Sequence, residues 1–181
     1  SKRYDTVQHH TIGFSKDYDN ILKTLFAHKP PKELPQDLSF YLHRPAATDP
    51  NSVKPDEDAF YVLVPVPNLR HKTNYDYKAY ANTILSVLES RLLPDLSQYL
   101  THMDYTDPTY FAHQLLSQYG AGFSLQPTLT QSAWFRYHNK DSTYHNLYFA
   151  GAGTHPGAGL PGVVNSAKIV ERLFTDNARK A

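Results

Sequence analysis

The sequence predicts an α+β fold, on three observations. Short apolar runs of strand length are interspersed with amphipathic helical patterns, and no segment repeats another. Two of these runs can pair across a single polar loop, in keeping with a mostly antiparallel sheet. The last apolar run passes through a glycine-rich turn into a helix and reads as a separate unit.

Thr6 to Phe14 reads as the first strand. Ser15 follows as the N-cap of a helix whose apolar face carries Tyr18, Ile21, Leu22 and Leu25. Lys29-Pro-Pro-Lys-Glu-Leu-Pro35 then breaks regular structure. Leu38, Phe40 and Leu42 alternate with Ser39, Tyr41 and His43, the pattern of a half-buried strand. Thr48 to Asp58 is a polar loop with two prolines, and the continuous apolar run Phe60 to Val66 after it predicts a central strand. From Asp76 to Leu93, Tyr77, Tyr80, Ala81, Ile84, Leu88 and Leu92 recur at helical spacing, and Pro94 closes the helix. Tyr99, Thr101, Met103 and Tyr105 alternate as a further strand. Asp107-Pro108 opens a helix running to about Gln118, with proline at its first position, and Gly120 and Gly122 end it. Thr128 to Phe135 is expected to be extended.

Composition narrows the function classes. The 181 residues suffice for one domain, or one domain with a lobe. With 18 basic against 17 acidic residues there is no electrostatic footprint for nucleic acid. The absence of cysteine excludes disulfides, thiolate metal sites and a cysteine nucleophile. No segment approaches the ~20 apolar residues that span a bilayer, and no signal peptide opens the chain. Met103 is the only methionine, so the chain is expected to be a piece of a longer protein or a processed one. Its 14 tyrosines and 9 phenylalanines suit a greasy channel or membrane-facing patch, although for most of them taken singly a place in a tyrosine-rich core and surface is the stronger reading.

The most informative stretch runs from Asn146 to Lys168. Leu147 to Ala150 reads as a short buried strand, and five glycines follow between Gly151 and Gly162, where side chains would hold a ligand away from the backbone. Val163, Ala167, Val170 and Phe174 then mark a helix. Amides at its start, at the positive end of the helix dipole, favour negative charge, so the arrangement suits a phosphate or a flavin.

Rival readings of this stretch are weaker. Gly157-Ala-Gly-Leu-Pro-Gly162 has the glycine spacing of a dinucleotide fingerprint, but the strand ends about seven residues too early and no second parallel strand follows the helix. Close helix packing alone explains one or two of the glycines. His155 is placed to bond a cofactor or to stabilise the turn. His9 and His10 on one strand are expected on opposite faces and so make a poor metal pair; no histidine pair shares a helical face with a carboxylate, and no metal site is expected. Ser132 and Ser166 lack a nucleophile-elbow pattern.

The turn Gly151 to Val164, the upstream Leu129-Thr-Gln-Ser-Ala-Trp-Phe-Arg-Tyr-His-Asn139 and Tyr61-Val-Leu-Val-Pro-Val-Pro67 together resemble the C-terminal part of bacterial and fungal carotenoid desaturases of the phytoene desaturase type. Leu38-Ser-Phe-Tyr-Leu-His43 and Thr48-Asp-Pro50 extend the likeness over most of the chain.

This resemblance implies an FAD-dependent flavoprotein of the amine-oxidase-like superfamily, with the N-terminal Rossmann unit that carries the adenosine part absent here. Residues 1–140 would be a portion of the substrate-binding domain, its antiparallel sheet drawn from the middle of the chain. Residues 141–181 would be the C-terminal strand, turn and helix of the FAD-binding domain. Gly151, Ala152, Gly153, Thr154, His155, Gly159, Pro161, Gly162, Val163 and Val164 would face the flavin. Hydride transfer from an allylic carbon leaves negative charge on the flavin, which the amides of Val163 and Val164 would stabilise. Phe123, Trp134 and Phe135 are candidates for lining an apolar tunnel or, as readily, for a structural core. No catalytic residue is identified. The family dehydrogenates apolar polyenes such as phytoene or diapophytoene and passes electrons to an external acceptor such as a quinone or oxygen, so a cytoplasmic protein peripheral to the membrane is expected. A related carotenoid oxygenase or isomerase, or a non-catalytic stand-alone binding module, stays open as an alternative.

Overall fold

Three short antiparallel strands organise the first half of the chain in the computed structural model, which describes residues 2–25, 27, 29–71, 74–126 and 128–178. Ser1 and the last residues of the 141–181 region lie outside the described residues. Strand β1 is His10–Gly13, β2 is Phe40–His43 and β3 is Tyr61–Leu63, in the order β1-β2-β3. His10 pairs with His43 and Gly13 with Phe40 across one ladder, and Leu42 pairs with Val62 across the other. Gly13 is required here because an added Cβ would lie 2.3 Å from the Phe40 ring.

The predicted alternation holds in β2: Leu38, Phe40 and Leu42 are buried and join Tyr4, Val7, Leu34, Tyr80, Leu88, Leu93 and Leu96 in the core. The pairing of this run with the next also holds. The Phe60–Val66 run is corrected from a central strand to a short edge strand. Alternate residues Phe60, Val62, Val64 and Val66 pack on the core, while Pro65 and Pro67 lack the amide that a longer ladder needs.

Helix α1 spans Tyr18–Leu25 and α2 spans Tyr77–Arg91. Asp76 caps α2, its carboxylate accepting the Ala79 amide at 2.9 Å, and Tyr80, Ala81 and Leu88 are its buried face. Ser15 is not the cap of α1. It is buried against Ser39, whose Oγ accepts the Ser15 amide at 3.0 Å, and the helix opens three residues later. A buried Arg44 ties the N-terminal segment to the loop before β3. Its guanidinium donates to Asp58 at 2.9 and 3.0 Å, to Asp5 at 2.7 Å and to the Val7 carbonyl at 3.1 Å.

Three further expectations are corrected. Tyr99 ends a short helix, α3 (Leu96–Tyr99), and residues 101–107 pair with no strand among the described residues. The alternating Tyr99, Met103 and Tyr105 are all exposed, so no face is buried to hold a strand in register. Helix α4, Pro108–His113, starts on proline as predicted but stops early, with Leu116 and Tyr119 at positive φ beyond it. Residues 128–135 form two 3-10 turns, Leu129–Gln131 and Ala133–Phe135, rather than an extended segment.

The chain divides into two compact units, Ser1–Thr109 and Tyr110–Ala181, so residues 110–140 share a unit with the glycine turn. In the second unit, α5 spans Leu160–Ala178. The expected strand Leu147–Ala150 reduces to one antiparallel bridge, Lys140 with Tyr148, and Leu147 is 38% exposed rather than buried. Its only ladder partner among the described residues is that single position, too little to extend a strand. No helix among the described residues is long and apolar enough to cross a membrane. The rings of His9 and His10, expected on opposite faces, meet at 4.3 Å between centroids, because His9 precedes the first paired residue of β1 and escapes strand alternation.

Candidate functional site

The glycine turn is held by side chains beneath it. Ser166, fully buried on α5, accepts the Gly151 amide at 2.8 Å and donates to the Val163 carbonyl at 2.6 Å, so one hydroxyl joins the entrance of the turn to the helix. Thr154 is buried and donates its hydroxyl back to the Gly151 carbonyl at 3.0 Å. Asn139, also buried, donates to the Phe149 carbonyl at 3.1 Å and to Thr154 Oγ1 at 3.3 Å. The His155 amide donates to the Tyr137 carbonyl at 3.0 Å, and the His155 ring lies 3.0 Å from the Ala133 carbonyl through Nδ1. Of its two readings, His155 therefore takes at least the turn-fastening one. The His155–Pro156 peptide is cis.

Arg136 is the residue that sequence reasoning passed over. Buried under the turn, it donates to the Ala152 carbonyl and, at 3.4 Å, to the Leu125 carbonyl. Among the described residues no carboxylate lies in ion-pair range of it. A buried cation held only by carbonyl dipoles leaves net positive charge beneath the turn. Its signal was an arginine flanked by Phe135 and Tyr137 within the quoted motif.

The glycines divide by what surrounds them. At Gly162 an added Cβ would lie 2.6 Å from the Gly157 carbonyl oxygen, and at Gly157 it would lie 3.1 Å from Arg136 Nε. At Gly153 it would meet Ser124 Oγ at 3.2 Å. Gly151 (φ 128°) and Gly159 (φ 93°) are in conformations that disfavour side chains, with nothing within 4 Å of a Cβ position. Their backbone is bare on the open side.

The donor set at the helix start differs from expectation. Val163 already donates its amide to the Gly159 carbonyl at 2.9 Å, and Val164 is one residue further inside α5. Pro161 has no amide, and those of Leu160 and Gly162 reach no backbone carbonyl among the described residues. The free donors thus lie at Leu160 and Gly162, earlier than the valines.

Phe123, Trp134 and Phe135 are all exposed, and no ring contact joins them to one another among the described residues. Trp134 instead lies edge-on to His138 and His155, at 4.9 and 5.9 Å. A separate apolar groove of about 190 Å³ lies in the first unit, lined by Ile12, Phe14, Tyr18, Ile21, Leu22 and Phe40 among others. Its signal in the sequence was the apolar face assigned to α1, which covers one side of it.

Residues 62–170 match the family described as flavin containing amine oxidoreductase. Over 97% of its length the chain is 45% identical to a phytoene desaturase (lycopene-forming) of Paracoccus sp. (strain N81106 / MBIC 01143), covering 35% of that protein. It is 41% identical to a phytoene desaturase (neurosporene-forming) of Rhodobacter capsulatus, over 97% of this chain and 34% of the relative. A 4,4'-diapophytoene desaturase (4,4'-diaponeurosporene-forming) of Staphylococcus haemolyticus is 36% identical over 96% of this chain and 35% of its own length. The chain spans about a third of the length of these curated relatives.

Proposed function

The chain belongs to the flavin containing amine oxidoreductase family, and we propose that it is the C-terminal portion of an FAD-dependent desaturase acting on a long apolar polyene, phytoene or diapophytoene. The observation that carries this reading is identity of 36 to 45% to such desaturases across nearly the whole chain. Residues 1–140 are assigned to the substrate-binding portion and 141–181 to the FAD-binding domain, with 110–140, which share a compact unit with the turn, bracing it through Arg136, and with the Rossmann unit supplied elsewhere in the full-length protein.

The turn fits a flavin on its own geometry. Gly151 and Gly159 leave the backbone bare, and Leu160 and Gly162 present free amides at the positive end of α5. We assign the flavin-facing surface to Gly151, Ala152, Gly153, Thr154, Gly159, Pro161 and Gly162, with His155 fastening the turn and Val163 and Val164 flanking it. The chemistry that FAD would supply when bound is acceptance of the hydride from an allylic carbon, the proton of the neighbouring carbon being lost to solvent as the double bond forms. The chain's contribution is to hold a positively biased backbone surface against the flavin: Arg136 supplies the charge, and the free amides supply donors that need no reorganisation.

The groove between α1 and the strands, apolar on nearly all its lining, is the better candidate within the chain for polyene contact than exposed Phe123, Trp134 and Phe135. Because a hydrocarbon substrate dissolves in lipid, this reading also has the full-length enzyme working peripherally at a membrane, as a cytoplasmic protein, and passing its electrons to an external acceptor such as a quinone or oxygen. Full-length protein incubated with FAD, an electron acceptor and either phytoene or diapophytoene in liposomes, with products resolved by chromatography, tests this reading. Products of longer conjugation are expected for at least one of phytoene and diapophytoene. Flavin-loaded protein that converts neither would overturn it.

A further inference from the structure

Three imidazoles that the sequence separates converge on one face of the first unit. His9 Nε2 lies 3.0 Å from His43 Nε2, the rings of His9 and His10 are 4.3 Å apart, and those of His10 and His43 are 5.3 Å apart. One ring nitrogen from each residue lies within 4.8 Å of the other two. The backbone explains the convergence: His10 and His43 are paired partners across the β1–β2 ladder, and His9 sits one residue outside it.

The outer nitrogens of two of the three rings are already occupied. Thr48 Oγ1 lies 2.5 Å from His9 Nδ1, and the Tyr41 hydroxyl lies 2.8 Å from His10 Nδ1. Held at Nδ1 by Thr48, the half-buried His9 presents Nε2 in a defined direction, which is how ligating histidines are oriented in metal sites, whereas the exposed His10 ring can still turn. His9 and His43 are half-buried and His10 is exposed, so the cluster opens to solvent on one side.

We propose that His9, His10 and His43 form a binding site for a borderline divalent transition ion, of which Zn²⁺ is the representative, with a fourth position open to water. All-imidazole donors suit Zn²⁺, Ni²⁺ or Cu²⁺ and not Mg²⁺ or Ca²⁺, which require oxygen. Zn–N bonds of about 2.0–2.1 Å in a tetrahedral site hold ligand nitrogens about 3.3 Å apart. The His9–His43 pair is close to that spacing, and rotation of the exposed His10 ring closes the remaining gap. Each ring ligates as the neutral imidazole: the Nε2 proton held between His9 and His43 moves to Nδ1 of its own ring, so the number of ring protons is unchanged and no imidazolate forms. The ion then clasps β1 to β2 beside the loop that carries Thr48. This site is independent of the flavin reading, because it uses none of the turn residues.

The test is calorimetric titration of tag-free, EDTA-stripped full-length protein with ZnCl₂. One ion per chain is expected at the cluster, and His10→Gln and His43→Gln should each lose it or weaken it at least tenfold. His113→Gln, an exposed histidine on α4, should bind as the wild type does. Because His10 is exposed, its variant is expected to keep the wild-type far-ultraviolet spectrum, and Co²⁺ added to the wild type alone should give the intense visible bands of a tetrahedral site. Absence of micromolar Zn²⁺ binding in the wild type, or unchanged binding in a folded His10→Gln protein, overturns the proposal.

Discussion

The Gly157 carbonyl and the Gly162 Cα touch backbone to backbone: a Cβ at Gly162 would sit 2.6 Å from the Gly157 oxygen. No real side chain tolerates that distance, and the obstacle is main chain, which cannot swing aside. The first turn of α5 therefore closes onto the loop before it only with glycine at this position. Gly162→Ala in the full-length protein is expected to open the turn, costing about 1–3 kcal/mol of stability and lowering flavin content per mole of protein. Gly153→Ala meets only the Ser124 hydroxyl, at 3.2 Å, and should retain more flavin. Thermal melting with the visible flavin absorbance reads both. Equal flavin occupancy in the two folded variants would separate the turn from the cofactor.

A second expectation concerns Arg136. Removing its guanidinium leaves the Ala152 and Leu125 carbonyls without their donor in a buried setting, a loss of about 1–3 kcal/mol per unsatisfied group. Arg136→Met should lower the melting temperature and the flavin content together. Arg136→Lys keeps the charge but not the planar fork, so it should fall between. A methionine variant as stable and as flavin-loaded as the wild type would show that the arginine does not hold the turn.

The local part of this architecture was legible in the sequence. Asp76 before an apolar helical pattern and Pro94 after it mark α2 because caps and breakers act on their own neighbours. Leu38, Phe40 and Leu42 reveal a buried face because strand periodicity is two. The same periodicity misled at Tyr99–Tyr105, where amphipathic side chains alternate without any burial. Gly162 was visible as a glycine, but its reason, the Gly157 oxygen, belongs to the folded turn. The valine amides were misplaced because helix onset depends on the Gly159 carbonyl taking the Val163 proton. The His9–His43 contact joins residues 34 positions apart and had no local signature.

Acid should weaken the first unit through His9. Burial, followed by the neighbouring His10 and His43, holds its pKa below the ordinary histidine value of 6.5. The unfolded chain thus takes up this proton at a higher pH than the folded one, so the His9 contribution is full above pH 6.5 and is lost as pH falls through the lower folded value. The rings of His10 and His43 and the Thr48 hydroxyl are the polar groups that contact it. In EDTA, melting temperatures of the full-length wild type should fall more between pH 7.5 and 5.5 than those of His9→Gln. An identical fall in both proteins would assign the acid sensitivity elsewhere.

The electrostatic role of the helix start is separable from its shape. With the Val163 amide consumed, Leu160 and Gly162 are the donors left to face a reduced, anionic flavin, and the Leu160 side chain projects into solvent. A carboxylate at position 160 competes for the same positive end of α5 and repels charge on the flavin, whereas glutamine there has similar size without charge. Leu160→Glu should therefore lower the flavin potential relative to Leu160→Gln, with folding alike in both. A helix-end interaction of about 0.3–1 kcal/mol corresponds to roughly 6–20 mV for a two-electron couple, taking about 30 mV per 1.4 kcal/mol. Spectroelectrochemical titration of the matched full-length variants resolves a shift of that size, and its salt dependence identifies it as electrostatic. Indistinguishable potentials would move the flavin away from this end of α5, while leaving the backbone contact between Gly157 and Gly162 as a purely structural closure of the turn.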